Sequence, residues 1–117
     1  MKFAPIGLAA TALLFLSTAL AHHSPIVFDR TRTVTLTGVV TEFRWGNPHS
    51  WIHIDVADQD GKIANWSLEM DPASHLARNG WRSTLVKPSD KITVVVYPLR
   101  NGEKGGSTEC TGAKGED

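Results

Sequence analysis

The 117-residue chain has a single cysteine, Cys110, and no excess of either charge. One cysteine cannot form a disulfide within the chain, so a fold of this size depends on its hydrophobic core instead of the crosslinks common in small exported domains. We expect Cys110 to be unpaired, with an intermolecular disulfide as the alternative. Twelve basic residues balance twelve acidic ones, so the chain lacks the excess of positive charge that is expected of a nucleic-acid-binding protein.

A long apolar run is present only near the start of the chain. Lys2 supplies a positive charge, an apolar stretch follows, and Ala19-Leu20-Ala21 has the small-x-small pattern that signal peptidase accepts. The stretch is shorter than the roughly 20 residues of a membrane span. The pattern predicts a cleaved signal peptide over residues 1–21, a mature chain that begins at His22 in the periplasm or outside the cell, and no membrane span after cleavage. An uncleaved N-terminal anchor is the alternative.

The first mature strand is indicated by two-residue alternation. Apolar and hydroxyl residues alternate over Thr33–Thr37, and the extended pattern continues over Val39–Trp45. Alternation with β-branched residues predicts a half-buried strand, and Gly38 inside it predicts a bulge or a bend. A long first strand bent at a glycine is what a small barrel needs in order to close around its core.

Further elements follow in a recognisable order. We expect strands over about His49–Val56, Ile63–Met70 and Lys91–Tyr97, a helical stretch over Pro72–Arg78, and a short closing strand near Ser107. Asp71 or Ser74 is expected to cap the helix, which Asn79-Gly80 should end.

The order β-β-β-α-β-β predicts a mostly β fold, a small OB-like five-stranded barrel, with a β-sandwich fragment as the alternative. The predicted organisation is an N-terminal arm over residues 22–32, the barrel over 33–107 and a flexible tail over 108–117. Residues 101–117 are rich in glycine and charge, so we expect this stretch to be mobile.

Several short segments carry a family resemblance. They are AHHS at 21–24, WGNPHSWI at 45–52, ARNGW at 77–81 and LVKPSD at 85–90. Over about residues 21–107 the chain resembles a family of small exported bacterial proteins known only as a domain of unknown function. The resemblance implies a periplasmic or secreted location and a small β-rich domain, and it implies no established activity.

Histidines occur at the mature N-terminus and on the second strand. Signal cleavage would leave His22 with a free α-amine and His23 beside it, a nitrogen-rich set that suits Cu(II). His49 and His53 share a strand face about 13 Å apart, too far for one ion, so one of them or His75 would have to join the arm. The hypothesis is a copper site; the alternative is that all five histidines are polar surface residues.

The tryptophans form the other candidate set. Trp51 shares its strand face with two histidines and is expected to point outward, where Trp45 and Arg44 would join it in a ligand face. Outer faces of OB barrels stack oligonucleotides and oligosaccharides. Trp66 alternates with core positions, and Trp81 is expected to plug one end of the barrel. The alternative is that most of the tryptophans are structural.

Signatures of catalysis are missing from the sequence, which has no Gly-x-Ser-x-Gly, phosphate loop or zincin motif. Glu69 and Asp71 are interpreted as ordinary surface acids. Asp58 and Asp60 flank a turn and lack the remaining ligands of a calcium loop.

The sequence therefore favours a non-catalytic binding or accessory module whose ligand, a protein or a small molecule, is undefined. A copper-binding protein and a structural protein that pairs along a barrel edge are the alternatives.

Overall fold

The structure, a computed structural model, describes residues 27–108. The predicted signal peptide, His22, His23 and Cys110 lie outside the described residues. Five strands and one helix follow one another along the chain: β1 (Val34–Arg44), β2 (Trp51–Ala57), β3 (Ile63–Glu69), α1 (Ala73–Arg78), β4 (Lys91–Pro98) and β5 (Gly105–Ser107). No helix in this part of the chain is long and apolar enough to cross a membrane.

The five strands close into a barrel in the order β1-β2-β3-β5-β4. β3 and β5 are parallel, whereas the other neighbouring pairs are antiparallel. This pairing, with the helix between β3 and β4, is the predicted OB-like barrel.

β1 pairs with two different strands along its length. Its residues from Val34 to Val39 pair with β4, and those from Val39 to Arg44 pair with β2. The register shifts between Val40 and Glu42, so the irregularity lies just after Gly38 and not at it. Gly38 has another role, because a Cβ there would collide with the carbonyl oxygen of Asp55.

The interior of the barrel is filled by alternate residues of the strands. Leu36 and Val40 from β1, Ile52 and Ile54 from β2 and Leu68 from β3 are all buried. Because successive strand side chains point to opposite faces, the residues between these positions lie on the outside. The core is completed by Met70, Leu76 and Val96.

The helix start differs from the prediction. Neither Asp71 nor Ser74 caps it, and Pro72 precedes the first turn without a side-chain cap. The β1–β2 loop takes this role instead: Gly46 O accepts from the Ala73 amide at 2.9 Å, and Asn47 Oδ1 accepts from the Ser74 amide at 3.4 Å.

The predicted helix end is confirmed. Gly80 has φ +88°, and its amide donates to Ala77 O at 3.2 Å while the Trp81 amide donates to Leu76 O at 3.0 Å. These two hydrogen bonds form a Schellman motif, for which a glycine in the left-handed region is the usual residue.

Residues 105–107 close the barrel as the short strand expected near Ser107. Residues 109–117 of the predicted flexible tail lie outside the described residues. Gly105 and Gly106 are buried, and Ser107 pairs with Glu69 on one side and Tyr97 on the other. Thr108, placed in the predicted flexible tail, is 8% exposed, and its amide donates to Glu69 O at 2.9 Å.

The described part of the N-terminal arm lies against the end of β4. Phe28 is buried and forms a bridge with Leu99, and the Asp29 amide donates to Pro98 O at 2.8 Å. Hydrogen bonds from the hydroxyl and the amide of Thr31 hold the pKa of Asp29 below its usual value of 3.8. The arm is therefore attached to the barrel from at least Phe28 onward.

Candidate ligand-binding face

The outer face of β1, β2 and β3 carries the candidate site because strand register brings its polar and aromatic residues into rows. In one row, Trp51 lies between Arg44 of β1 and Glu69 of β3. In the next, His53 lies between Glu42 and Ser67. Cβ atoms of directly opposite residues are about 4.5–5.5 Å apart. We call this surface the outer β1–β3 face.

The centre of the face is a pair of parallel rings. Trp51 and His53, two positions apart on β2, have planes within 10° of each other and centroids 6.4 Å apart. Both side chains are partly exposed. The His53 ring is oriented by its neighbours, since Nδ1 lies 3.0 Å from Ser67 Oγ and Nε2 lies 4.0 Å from Glu42 Oε2. The His53 ring, and with it the parallel pair, therefore has a defined orientation.

Polar groups border the rings on the β1 side. The Arg44 guanidinium contacts Glu42 Oε1 at 3.1 Å, with both side chains more than half exposed. Further along the face, Asn65 Nδ2 donates to Asp55 Oδ1 at 2.9 Å and to Thr41 Oγ1 at 3.2 Å. Hydrogen-bond donors (the Arg44 guanidinium and the Asn65 amide) thus lie next to acceptors (the carboxylates of Glu42 and Asp55) on this face.

On the β3 side the face contains a buried carboxylate. Glu69 points outward by register, yet its side chain is only 8% exposed, and Oε1 lies 3.1 Å from His49 Nδ1. The same His49 nitrogen lies 3.3 Å from Met70 O. His49 therefore covers a carboxylate that the fold shields from water.

Sequence reasoning missed Glu69, which we interpreted as a surface acid. Its burial follows from strand pairing, because the β1–β2 loop covers it through His49 on one side and β5 lies beside it on the other. The Oγ of Ser107, its partner on β5, is itself buried and has no hydrogen-bond partner among the described residues. A glutamate at the end of a predicted strand carries no signal that would reveal this.

The predicted ligand face is only partly assembled. Arg44 and Trp51 are neighbours, as expected, but Trp45 packs against the core, with its ring nearly perpendicular to that of Phe43 and 6.0 Å between centroids. Trp66 packs against the core, as predicted. Trp81 also does so, 6.4 Å from Phe43, with its indole Nε1 buried and without a partner in residues 27–108.

The three described histidines do not share a site. His49 pairs with Glu69, and His53 pairs with Ser67 and Glu42. His75 of the helix pairs at 3.2 Å with Asp71, which precedes it. Within residues 27–108, no group of three or more His, Cys, Asp or Glu side chains is placed to hold a metal ion. The copper hypothesis therefore depends on His22 and His23, which are outside the described residues.

The fold and the face together define a class of protein: a small OB-like barrel whose outer β1–β3 face carries two aromatic rings, Trp51 and His53, on β2. Residues 11–108 match the family of unknown function DUF6152, and the chain belongs to that family. No curated protein matches the chain. No solved structure matches it either.

Proposed function

We propose that this protein is a non-catalytic binding module that holds a ring-containing ligand on the outer β1–β3 face. The parallel pair of Trp51 and His53 supports this proposal most directly. Ligand sites are lined mainly by apolar and aromatic side chains with a few placed polar groups, and here two aromatic rings are parallel, partly exposed and bordered by hydrogen-bonding groups.

Stacking supplies the binding energy in this proposal. Stacking of one base on an aromatic side chain contributes about 1–3 kcal/mol, and the larger indole of Trp51 supplies most of the contact area. Arg44 and Glu42, opposite these rings, contribute orientation. Because each border group already has a protein partner, the face is held in place before the ligand arrives, which reduces the entropy cost of binding.

The test is a binding titration of the ¹⁵N-labelled mature protein. Four probes are used: a linear glucan heptamer, a hexamer of N-acetylglucosamine, single-stranded oligothymidylate and benzyltrimethylammonium. We expect at least one probe to shift the indole N–H resonance of Trp51. Trp51→Ala should weaken that binding by about 5- to 150-fold, the equivalent of one stacking contact.

Ile63→Ala is the matched control, since Ile63 is a 70% exposed apolar residue of β3 outside the two rows of the face. It should leave the titration unchanged. If no probe shifts the Trp51 indole, or if Trp51→Ala and Ile63→Ala behave alike, the outer β1–β3 face is not a binding site for rings.

We also propose that the protein is exported, on the strength of residues 1–21. Cell fractionation should recover, in the periplasmic or the extracellular fraction, a processed chain whose N-terminal sequence begins at His22. A chain that retains Lys2 would refute cleavage at this site, and it would remove the free α-amine on which the proposed copper site of His22 and His23 depends.

Edge pairing is the alternative to a ligand on the face. Because β5 pairs with β3 only from Ser67 onward and with β4 only at Tyr97 and Pro98, residues 63–66 of β3 and residues 91–96 of β4 are the stretches along which a partner strand could pair. The proposal for the outer β1–β3 face rests on the aromatic pair instead.

A further inference from the structure

The charged groups around Trp51 and His53 determine which kinds of ring-containing ligand the outer β1–β3 face can bind. Glu42, Asp55 and Glu69 are carboxylates on the outer β1–β3 face, and Arg44 is the one cation in the same rows. Arg44 is already paired with Glu42 at 3.1 Å. The remaining carboxylates, Asp55 and Glu69, make the surroundings of the rings electronegative.

A nucleic-acid strand is a poor ligand for this surface. Nucleic-acid sites line the phosphate path with lysine and arginine and derive much of their affinity from it. A strand with a base stacked on Trp51 would carry its phosphates past Glu69, opposite Trp51, and past Asp55, four residues further along β2. Asp55 is bound by the uncharged amide of Asn65, so its negative charge is not cancelled.

A simple organic cation fits less well than the negative field suggests. Each carboxylate near the rings is already engaged: Glu42 by Arg44, Asp55 by Asn65 and Glu69 by His49. An ion pair between a ligand cation and Glu42 or Asp55 at this solvent-accessible surface contributes little, and Glu69 is shielded by burial.

A ring that carries hydroxyl groups has the required chemistry. Hydroxyls both donate and accept hydrogen bonds, and they can use the remaining lone pairs of Glu42 and Asp55, the Oδ1 of Asn65 and the N–H groups of Arg44 that do not contact Glu42. They bring no charge into the field, and the apolar face of a sugar ring can lie on the indole of Trp51.

We propose, building on the proposed function of the face, that its ligand is an uncharged polyhydroxylated ring, that is, a saccharide. Trp51 carries one sugar ring, Glu42 and Arg44 beside the ring pair orient its hydroxyls, and Asp55 and Asn65, further along the face, orient those of a neighbouring sugar. The same carboxylates reject anionic polymers.

The experiment is the four-probe titration at physiological salt, with affinities compared between probes. We expect one of the two neutral oligosaccharides to bind at least tenfold more tightly than oligothymidylate and benzyltrimethylammonium. The glucan and the N-acetylglucosamine hexamer separate the two sources of saccharide, and binding of either supports the proposal.

Two variants test the assigned roles. Asn65→Ala should weaken saccharide binding by about 3- to 10-fold, the effect of one lost hydrogen bond. Asp55→Asn should strengthen oligothymidylate binding, whereas Asp60→Asn, which removes the same charge from the exposed β2–β3 turn, should change it less.

Some outcomes overturn this inference alone. If Trp51-dependent binding is strongest for oligothymidylate or for benzyltrimethylammonium, the face binds rings but not saccharides. If no probe shows Trp51-dependent binding, the proposed function itself fails.

Discussion

Closure of the barrel depends on a glycine that touches two strands. Gly106 lies between Leu68 of β3 and Pro98 of β4. A Cβ at this position would collide with the carbonyl oxygen of Tyr97 and with Cγ1 of Val96. The carbonyl belongs to the backbone and cannot turn away as a side chain does, so Gly106→Ala must displace β5 from β4.

The size of the effect follows from the closeness of this contact. Overpacking of a core costs about 1–3 kcal/mol and sometimes more, and an obstruction by backbone favours the upper end, about 3 kcal/mol. A domain of about 80 residues has a total free energy of unfolding of about 4–12 kcal/mol. Gly106→Ala should therefore lower the melting temperature by about 12–24 °C.

Urea unfolding followed by tryptophan fluorescence measures the change in the free energy of unfolding, and thermal unfolding followed by the same signal measures the change in melting temperature. Gly46→Ala is the control, because a Cβ at Gly46 would lie 3.6 Å from His49 O, an ordinary contact, and it should alter the free energy of unfolding by less than about 1 kcal/mol. If Gly106→Ala is as stable as Gly46→Ala, the barrel is not closed by close approach of β5.

Three further predictions concern stability. His49→Ala should cost about 1–3 kcal/mol because it leaves a buried carboxylate without its partner, while His75→Ala, whose acidic partner is 43% exposed, should cost less than about 1 kcal/mol; urea midpoints measure both. The lowered pKa of Asp29 means that its charge stabilises the fold above pH 3.8 and that this contribution is lost as the pH falls through the lower folded-state value, so Asp29→Asn should flatten the acid side of a stability–pH curve. Trp81→Phe removes a buried N–H that has no partner in the described part of the chain and should change the free energy of unfolding, measured in urea, by less than about 1 kcal/mol.

Each of these has an opposing result. Equal losses in His49→Ala and His75→Ala would show that burial does not strengthen the first pair. Parallel acid curves for wild type and Asp29→Asn would show that the hydrogen bonds from Thr31 do not lower the pKa of Asp29. A loss well above 1 kcal/mol in Trp81→Phe would mean that the indole N–H is satisfied in solution.

Local sequence determined most of the barrel. Alternation over β2 placed Ile52 and Ile54 inside and Trp51 and His53 outside, because a strand has a period of two whatever it pairs with. Asn79-Gly80 ended the helix because glycine adopts a left-handed conformation at little cost. These features depend on neighbours along the chain, and a single sequence displays them.

Tertiary structure decided the features that depend on distant segments. Asn47, not the adjacent Asp71 or Ser74, binds the first turn of the helix, since the β1–β2 loop folds over it. Glu69 is buried on an outward position because His49 covers it and β5 lies beside it. The β5 segment lacks apolar residues but forms a strand, because Gly105 and Gly106 fit where a side chain would not. Such contacts are set by strand pairing between distant residues, and local propensity does not encode them.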